Sequence, residues 1–260
     1  MSITENVNRI GSFTSSNNYK LMTNGKGANL FGAPAITYIK ETNLERLLGR
    51  SLELNATSKP MSWGLFLESR VCDLLEFGYL LESQKTETHP TINFWAGSSD
   101  VIIAGKKIGD IKCFEPKNFA NYSDVLLQKS IPILKEEFPK EYWQLVSNAI
   151  INKVPNAEAI CYMPYQSELA EIREAASLYD GTDQYKYEFI FNSPDASLAY
   201  LPDGGYYKNL NRFEFEVPKE DIELLTARVK LAGTMLVDKN NKLITKAPSP
   251  KPNKIILNKI

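Results

Sequence analysis

Histidine is almost absent from this 260-residue chain: His89 is the only one, and it precedes Pro90 in a segment that reads as a loop. A nucleophile–histidine–acid triad or a histidine-rich metal centre would have to rest on that one residue, and a surface role is the plainer expectation. Cysteine is scarce too. Cys72, Cys113 and Cys161 are odd in number and lack CxxC spacing, which gives neither a disulfide framework nor a zinc site and fits a reducing compartment. No apolar run is long enough to span a bilayer, and MSITENVNRI carries no apolar stretch of signal-peptide length. The expectation is therefore a soluble, cytoplasmic protein that makes no use of a membrane. Charge of one sign is not in excess either, since 30 Lys and Arg face 31 Asp and Glu. That balance neither implies nor excludes a nucleic-acid partner, because a cluster of acids around a metal cancels a local basic surface in the sum. The glycines at 25, 27 and 32 lack the GK[ST] ending of a phosphate-binding loop and read as loop punctuation.

What is present is an ordinary globular composition, with 43% hydrophobic residues, so a packed core rather than disorder is expected. Residues 12–22 can open as a helix capped by Ser12 or Thr14. Residues 34–49 set Ile36, Ile39, Leu44, Leu47 and Leu48 on a helical period, with Gly49 as a stop. A stronger helix is expected from Ser62 to Leu81, with a stripe of Trp63, Phe66, Leu67, Val71, Leu74, Leu75 and Leu81, Ser62 as cap and Pro60 just outside. Beyond His89 the period becomes two: Thr91–Trp95, Asp100–Ala104 and Lys107–Cys113 read as short strands, the last two joined by a tight turn at Gly105-Lys106. Local helix follows within 114–138, then a helix over Lys140–Asn152 and a strand over Ala157–Met163. Past residue 165 the pattern suggests a helix at 165–178, a strand at Tyr185–Asn192, a loop at 194–209, a strand at 211–217 and a helix at 218–236. From Lys239 the chain carries lysines and prolines but no acid, as in a basic, mobile tail over 239–260.

The informative stretch is SSDVIIAGKKIGDIKCFEP, residues 98–116. If its two strands pair about Gly105, Asp100 falls nearly opposite Asp110, and opposed residues have Cβ atoms about 5 Å apart. Asp110 and Lys112, two apart, leave the same face of their strand. Like charges held side by side on an apolar sheet call for a cation between them. A hard divalent ion such as Mg²⁺ takes oxygen ligands, keeps waters and makes a bound water more acidic, while Lys112 stands where it can position that water.

SSD…DIKC resembles the PD…(D/E)xK core of the restriction-endonuclease-like superfamily. Three flanking motifs narrow the likeness to the lambda-type exonucleases, also called YqaJ-like viral recombinases. Arg9-Ile-Gly11-Ser-Phe-Thr14-Ser15-Ser16 is similar to that family's R-x-G-x-x-T-A-S opening, Trp63-Gly64-Leu-Phe-Leu-Glu68 to its W-G-x-x-x-E helix, and Tyr142-Trp143-Gln144 to its Tyr/Gln helix. The resemblance implies an α/β fold with a central mixed sheet flanked by helices. It places one domain over 1–238, with core motifs in 9–150 and a C-terminal elaboration in 151–238.

The same resemblance implies roles for single residues. Asp100, Asp110 and the Ile111 carbonyl would ligate Mg²⁺, with Mn²⁺ able to substitute; Glu68 would assist them. Lys112 would act on the attacking water, and Gln144 would orient Lys112 or the scissile phosphate. Arg9, Ser16 and Ser98 would bind a 5′-terminal phosphate. It further implies 5′→3′ hydrolysis of double-stranded DNA ends leaving 3′ overhangs for recombination, a homo-oligomer (often a trimer), a single-strand annealing protein as partner, and a phage or prophage setting in a host cytoplasm. The chain departs from the pattern at Ser99, where proline is usual, at Asp110, where Glu is commoner, and at Val146-Ser147, where a second Gln is absent. Two other readings remain open: an endonuclease or RecB-type module with the same centre, and a non-catalytic DNA-binding protein retaining the fold. An iron–sulfur branch is disfavoured, because clusters commonly use four cysteines.

Overall fold

The computed structural model describes residues 9–27, 30–52, 58–75, 77–82 and 85–238. The basic segment 239–260 lies outside them. A five-stranded mixed sheet occupies the centre in the order β2-β5-β6-β7-β8, from β2 (Leu80–Leu81), β5 (Val101–Ile103), β6 (Lys107–Lys112), β7 (Asn156–Tyr162) and β8 (Leu210–Glu216). A second sheet, β1-β4-β3, joins Phe13–Thr14, Trp95–Gly97 and Glu87–Thr88. β6 and β7 are parallel and the other pairs of the large sheet antiparallel. The segment after residue 150 thus supplies two of the five central strands.

A parallel pair needs a crossover, and here it is α3 (Pro116–Leu127), α4 (Ile131–Glu137) and α5 (Pro139–Asn152). α5 lies over the sheet face bearing Ile108, Ala157, Ala159, Cys161, Phe213 and Phe215, which forms one core with α3 and α1 (Ala33–Leu48). Ala157 and Ala159 are the small residues that let a helix approach so closely. The opposite face carries Val101, Ile111, Ile160 and Tyr162 against α2 (Lys59–Leu74), α6 (Leu169–Leu178) and α7 (Glu188–Asn192). The last helix is α8 (Lys219–Gly233). Among the described residues no helix is long and apolar enough to cross a membrane.

Several elements differ from the sequence expectation, each for a physical reason. Residues 12–22 form the short strand β1 followed by a 3₁₀ helix, Ser15–Met22, with Thr14 at its N-cap. α1 buries Ala35, Tyr38, Ile39 and Thr42 and leaves Leu44, Leu47 and Leu48 exposed, because the Tyr38 hydroxyl accepts a 2.6 Å hydrogen bond from the Thr14 amide and turns that face inward. α2 starts at Lys59 under a Ser58 cap, with Pro60 inside its first turn, where proline gives up no helical hydrogen bond. It ends at Leu74, and Gly78, at φ 108°, turns the chain into the edge strand β2. Tyr185–Asn192 alternates aromatic and polar residues like a strand, yet it is helical, burying Tyr187 and Ile190 at a spacing of three.

The expected strand Thr91–Trp95 is a turn up to Trp95, and His89 makes it. Its Nδ1 accepts from the amides of Thr91 at 3.2 Å and Ile92 at 3.1 Å, and its ring stacks on Trp95 at 4.9 Å. Burial, then Lys230 and Lys153, hold the imidazole below its ordinary pKa, so it is kept neutral as the acceptor the turn needs. A group whose pKa is lower when folded stabilises the fold above the unfolded value and loses that contribution as pH falls through the window below it. Melting temperature should therefore drop between pH of about 7.5 and about 5.5, a range spanning the ordinary imidazole value. His89→Asn, which keeps an acceptor near the Nδ1 position but cannot titrate, should show a smaller drop; equal drops in the two proteins would refute the assignment.

Candidate active site

The β5–β6 hairpin pairs Val101 with Gly109, which sets Asp100 across from Asp110 one step further along the ladder. The turn at Gly105, with φ 69°, needs a residue tolerant of the left-handed region and fixes this register. The Asp100 amide donates to the Gly109 carbonyl at 3.1 Å, and its Oδ2 accepts from the Ile111 amide at 2.6 Å. Asp110 is 1% exposed. Its Oδ1 accepts from the Gln144 side-chain amide of α5 at 2.5 Å, and its Oδ2 lies 2.6 Å from the Lys112 ammonium. Oδ2 is fully buried, and the charge that faces it is that ammonium. Gln144 thus reaches Asp110 directly, and Lys112 only through it.

Burial pushes the Asp100 carboxyl well above its ordinary pKa; Asp110 adds to the shift, Lys112 offsets part of it, and Glu68 adds again. Burial alone would lower the Lys112 pKa, but Asp110 and then Asp100 outweigh it, so the ammonium holds its proton more firmly than an ordinary lysine. Glu158, 2% exposed on the other face of the same sheet, shows what a satisfied buried acid looks like. Arg212 donates to it at 2.7 Å, the Tyr79 hydroxyl at 2.5 Å, and Lys107 lies 3.2 Å away. Its pKa is lowered, because Arg212 and Tyr79 outweigh the burial that opposes them. The Asp100–Asp110 pair lacks such compensation.

A cleft of about 230 Å³ opens onto Asp100, Glu68 and Gln144 and is lined on its other side by Arg9, Ser16 and Ser98. Six of the nine residues singled out in the sequence therefore share one cavity, with Asp110, Ile111 and Lys112 behind it on β6. A larger cavity of about 830 Å³, near the glycine-rich loop and α8, is lined by Lys26 and Lys40 among apolar groups and has no carboxylate, histidine or cysteine on its wall. The smaller cleft is the one that gathers carboxylates, a guanidinium and hydroxyls.

Residues not picked out in the sequence hold the cleft together. Asn148, one turn beyond Gln144, donates to the Ser98 carbonyl at 2.8 Å, and Thr86 meets the Ser98 hydroxyl at 3.0 Å. Ser147, where the second Gln is missing, accepts from the Trp95 indole at 2.8 Å and meets the Ser15 hydroxyl at 2.8 Å. Ser99, where proline is usual, is buried and meets the Asn152 amide at 3.4 Å. The spacing of Asn148 from Gln144 is the one sequence signal that could have revealed this layer.

The donor set fits a hard divalent cation: carboxylate oxygens, one of them fully buried, in a corner where the acids outnumber the single ammonium. Among the described residues no three of His, Cys, Asp or Glu converge on one point. An ion here would keep part of its water shell, as Mg²⁺ does.

The central mixed sheet and its flanking helices define an α/β fold, with the acidic hairpin at its centre. Within that class the fold is that of solved exonucleases. An alkaline exonuclease, LHK-Exo, from Laribacter hongkongensis superimposes with a TM-score of 0.55 at 18% identity, over 87% of this chain and 88% of its own. LHK-Exo in complex with dAMP gives 0.55 at 17% identity, over 88% and 89%. A phage-related exonuclease from Haemophilus somnus 129PT gives 0.54 at 16% identity, over 86% and 92%. No protein-family model matches the chain, and no curated relative does.

Gly97 is the tightest point of the cleft wall, since a Cβ there would run into the Ser15 hydroxyl and the Asn148 side-chain oxygen. Gly97→Ala should destabilise the protein by about 1–3 kcal/mol through overpacking, measured by urea denaturation. Gly64→Ala, whose Cβ would meet Cys113 at an ordinary 3.8 Å, should be far milder. A reversed order would show that the cleft wall is not packed as described.

Proposed function

We propose that this protein is a metal-dependent DNA exonuclease that hydrolyses linear duplex DNA from its 5′ ends and leaves 3′ single-stranded overhangs. The observation that carries the reading is the single cleft joining a cationic and hydroxyl-bearing wall, Arg9, Ser16 and Ser98, to an acidic floor at Asp100. The shared fold with alkaline and phage-related exonucleases supports it.

Asp100 and Asp110 would hold Mg²⁺, with Mn²⁺ able to substitute and Glu68 and the Ile111 carbonyl assisting. When bound, the ion supplies positive charge to the phosphate and a more acidic water. Gln144 fixes the orientation of Asp110, and Lys112 places a permanent positive charge beside the attacking water. The Arg9 guanidinium can grip a terminal phosphate through paired hydrogen bonds, with the serine hydroxyls completing its shell. Water adds to phosphorus and the 3′ oxygen of the terminal nucleotide leaves, taking up a proton. The products are a nucleoside 5′-monophosphate and a strand bearing a new 5′ phosphate. Each cut thereby regenerates the group that Arg9 recognises.

On end-labelled linear duplex, wild-type protein in Mg²⁺ should release mononucleotides and prefer 5′-phosphorylated ends. Arg9→Ala should lose that preference, with kcat/KM on phosphorylated ends down about tenfold to a hundredfold, the worth of a hydrogen bond to a charged group. Asp110→Ala should be inactive. An enzyme indifferent to the 5′ phosphate and to Arg9 would be an endonuclease, and one that leaves the duplex whole in both Mg²⁺ and Mn²⁺ would be a DNA-binding protein.

A further inference from the structure

The Lys112 ammonium sits 2.6 Å from Asp110 Oδ2, the very oxygen on which a cation at this centre would draw. A divalent cation drawing on that oxygen would stand within a few ångströms of the ammonium, and repulsion between the two favours an ammonium that steps aside within the buried corner. A displaced ammonium needs an anion to receive it.

Glu141 is that anion. It is 7% exposed, lies in the first turn of α5 and precedes Gln144 by three residues, which puts both side chains on one face of the helix. Returning from the end of β6 to the start of the parallel strand β7, α5 runs counter to both strands. Three residues of helix advance about 4.5 Å. Two residues of strand advance about 6.6 Å. With Gln144 fixed on Asp110, Glu141 therefore falls level with Lys112. The electrostatics agree: burial raises the Glu141 pKa, its own backbone amide and then the Lys112 charge lower it, and Asp110 raises it further. A second observation shows that the corner is not at its hydrogen-bonding optimum. The Tyr122 hydroxyl, fully buried and close enough to feel both Asp110 and Glu141, has no hydrogen-bond partner.

We propose that Glu141 is a positioning residue that takes over the Lys112 ammonium when a divalent cation occupies the Asp100–Asp110 pair, so that cation binding and lysine placement are one coupled event. The inference rests on the nuclease reading above and adds a residue to it. Lys112 held by Glu141 no longer lies across Asp110 as an internal stand-in for the metal.

Calorimetric titration of the DNA-free protein with MnCl₂ tests this without any turnover. Glu141→Gln, of nearly the same shape, should weaken Mn²⁺ binding about tenfold to a hundredfold, as loss of a group supporting a metal ligand does. Glu141→Asp should recover part of it. In a Lys112→Met background, where there is no ammonium to relocate, Glu141→Gln should leave the affinity unchanged within about twofold. A general loss of packing would act equally in both backgrounds, and that result would overturn the proposal. So would unchanged affinity in Glu141→Gln alone. If the wild-type protein itself binds no Mn²⁺, the metal-dependent reading falls first, and this inference with it.

Discussion

Two carboxylates forced into one buried corner of a protein set the terms for everything around them. The hairpin register that opposes Asp100 to Asp110 is fixed by backbone hydrogen bonds and by a left-handed glycine turn, so neither acid can swing away without breaking the ladder. What compensation the corner has comes from Lys112, Gln144 and the Ile111 amide, and it falls short. A protein keeps such an arrangement only when the rest of the fold over-determines it. The crossover helix α5 supplies that constraint by packing its length against the small residues of β7 and the apolar face of the sheet.

The sheet also separates two kinds of buried charge. Along β6, Lys107 and Gly109 face one layer, Ile108, Asp110 and Lys112 the other, and this parity of one residue sends Glu158 and Asp110 to opposite sides. On one side Glu158 collects a guanidinium, an ammonium and a phenol, and becomes an anchor for β8 and the edge of the sheet. On the other, two acids share one ammonium. Saturated acids hold structure, because breaking them exposes an unpaired charge. Undersaturated acids retain an appetite for cations, and the proposed function places its metal on this second face.

The local part of this plan was readable from residues alone. A hairpin with a glycine turn has few possible registers, so the facing acids and the shared face of Asp110 and Lys112 followed from strand periodicity. The resemblance to lambda-type exonucleases grouped Arg9, Ser16 and Ser98 with Glu68 and Gln144, and the cleft gathers the same residues. What stayed hidden depends on docking between distant elements. The aromatic alternation of Tyr185–Asn192 describes a strand, but packing of Tyr187 on Phe66 selects a helix. His89 looked like a loop residue because nothing local shows its ring lying on Trp95. Nothing local marks Glu141 until α5 is laid on the sheet, when it becomes a buried acid, 7% exposed.

One helix braces both walls of the cleft. Gln144 holds Asp110, and one turn later Asn148 holds the carbonyl of Ser98, another lining residue. Ser147 between them ties the 3₁₀ helix bearing Ser16 to the same scaffold through Ser15. A rigid helix with hydrogen bonds on successive turns transmits any shift of one wall to the other, because packed interiors do not deform smoothly. On the proposed function, an end seated against Arg9, Ser16 and Ser98 would press on the element that orders the acid pair. Discrimination for the correct end and alignment of the hydrolytic groups would then arise from a single placement of α5.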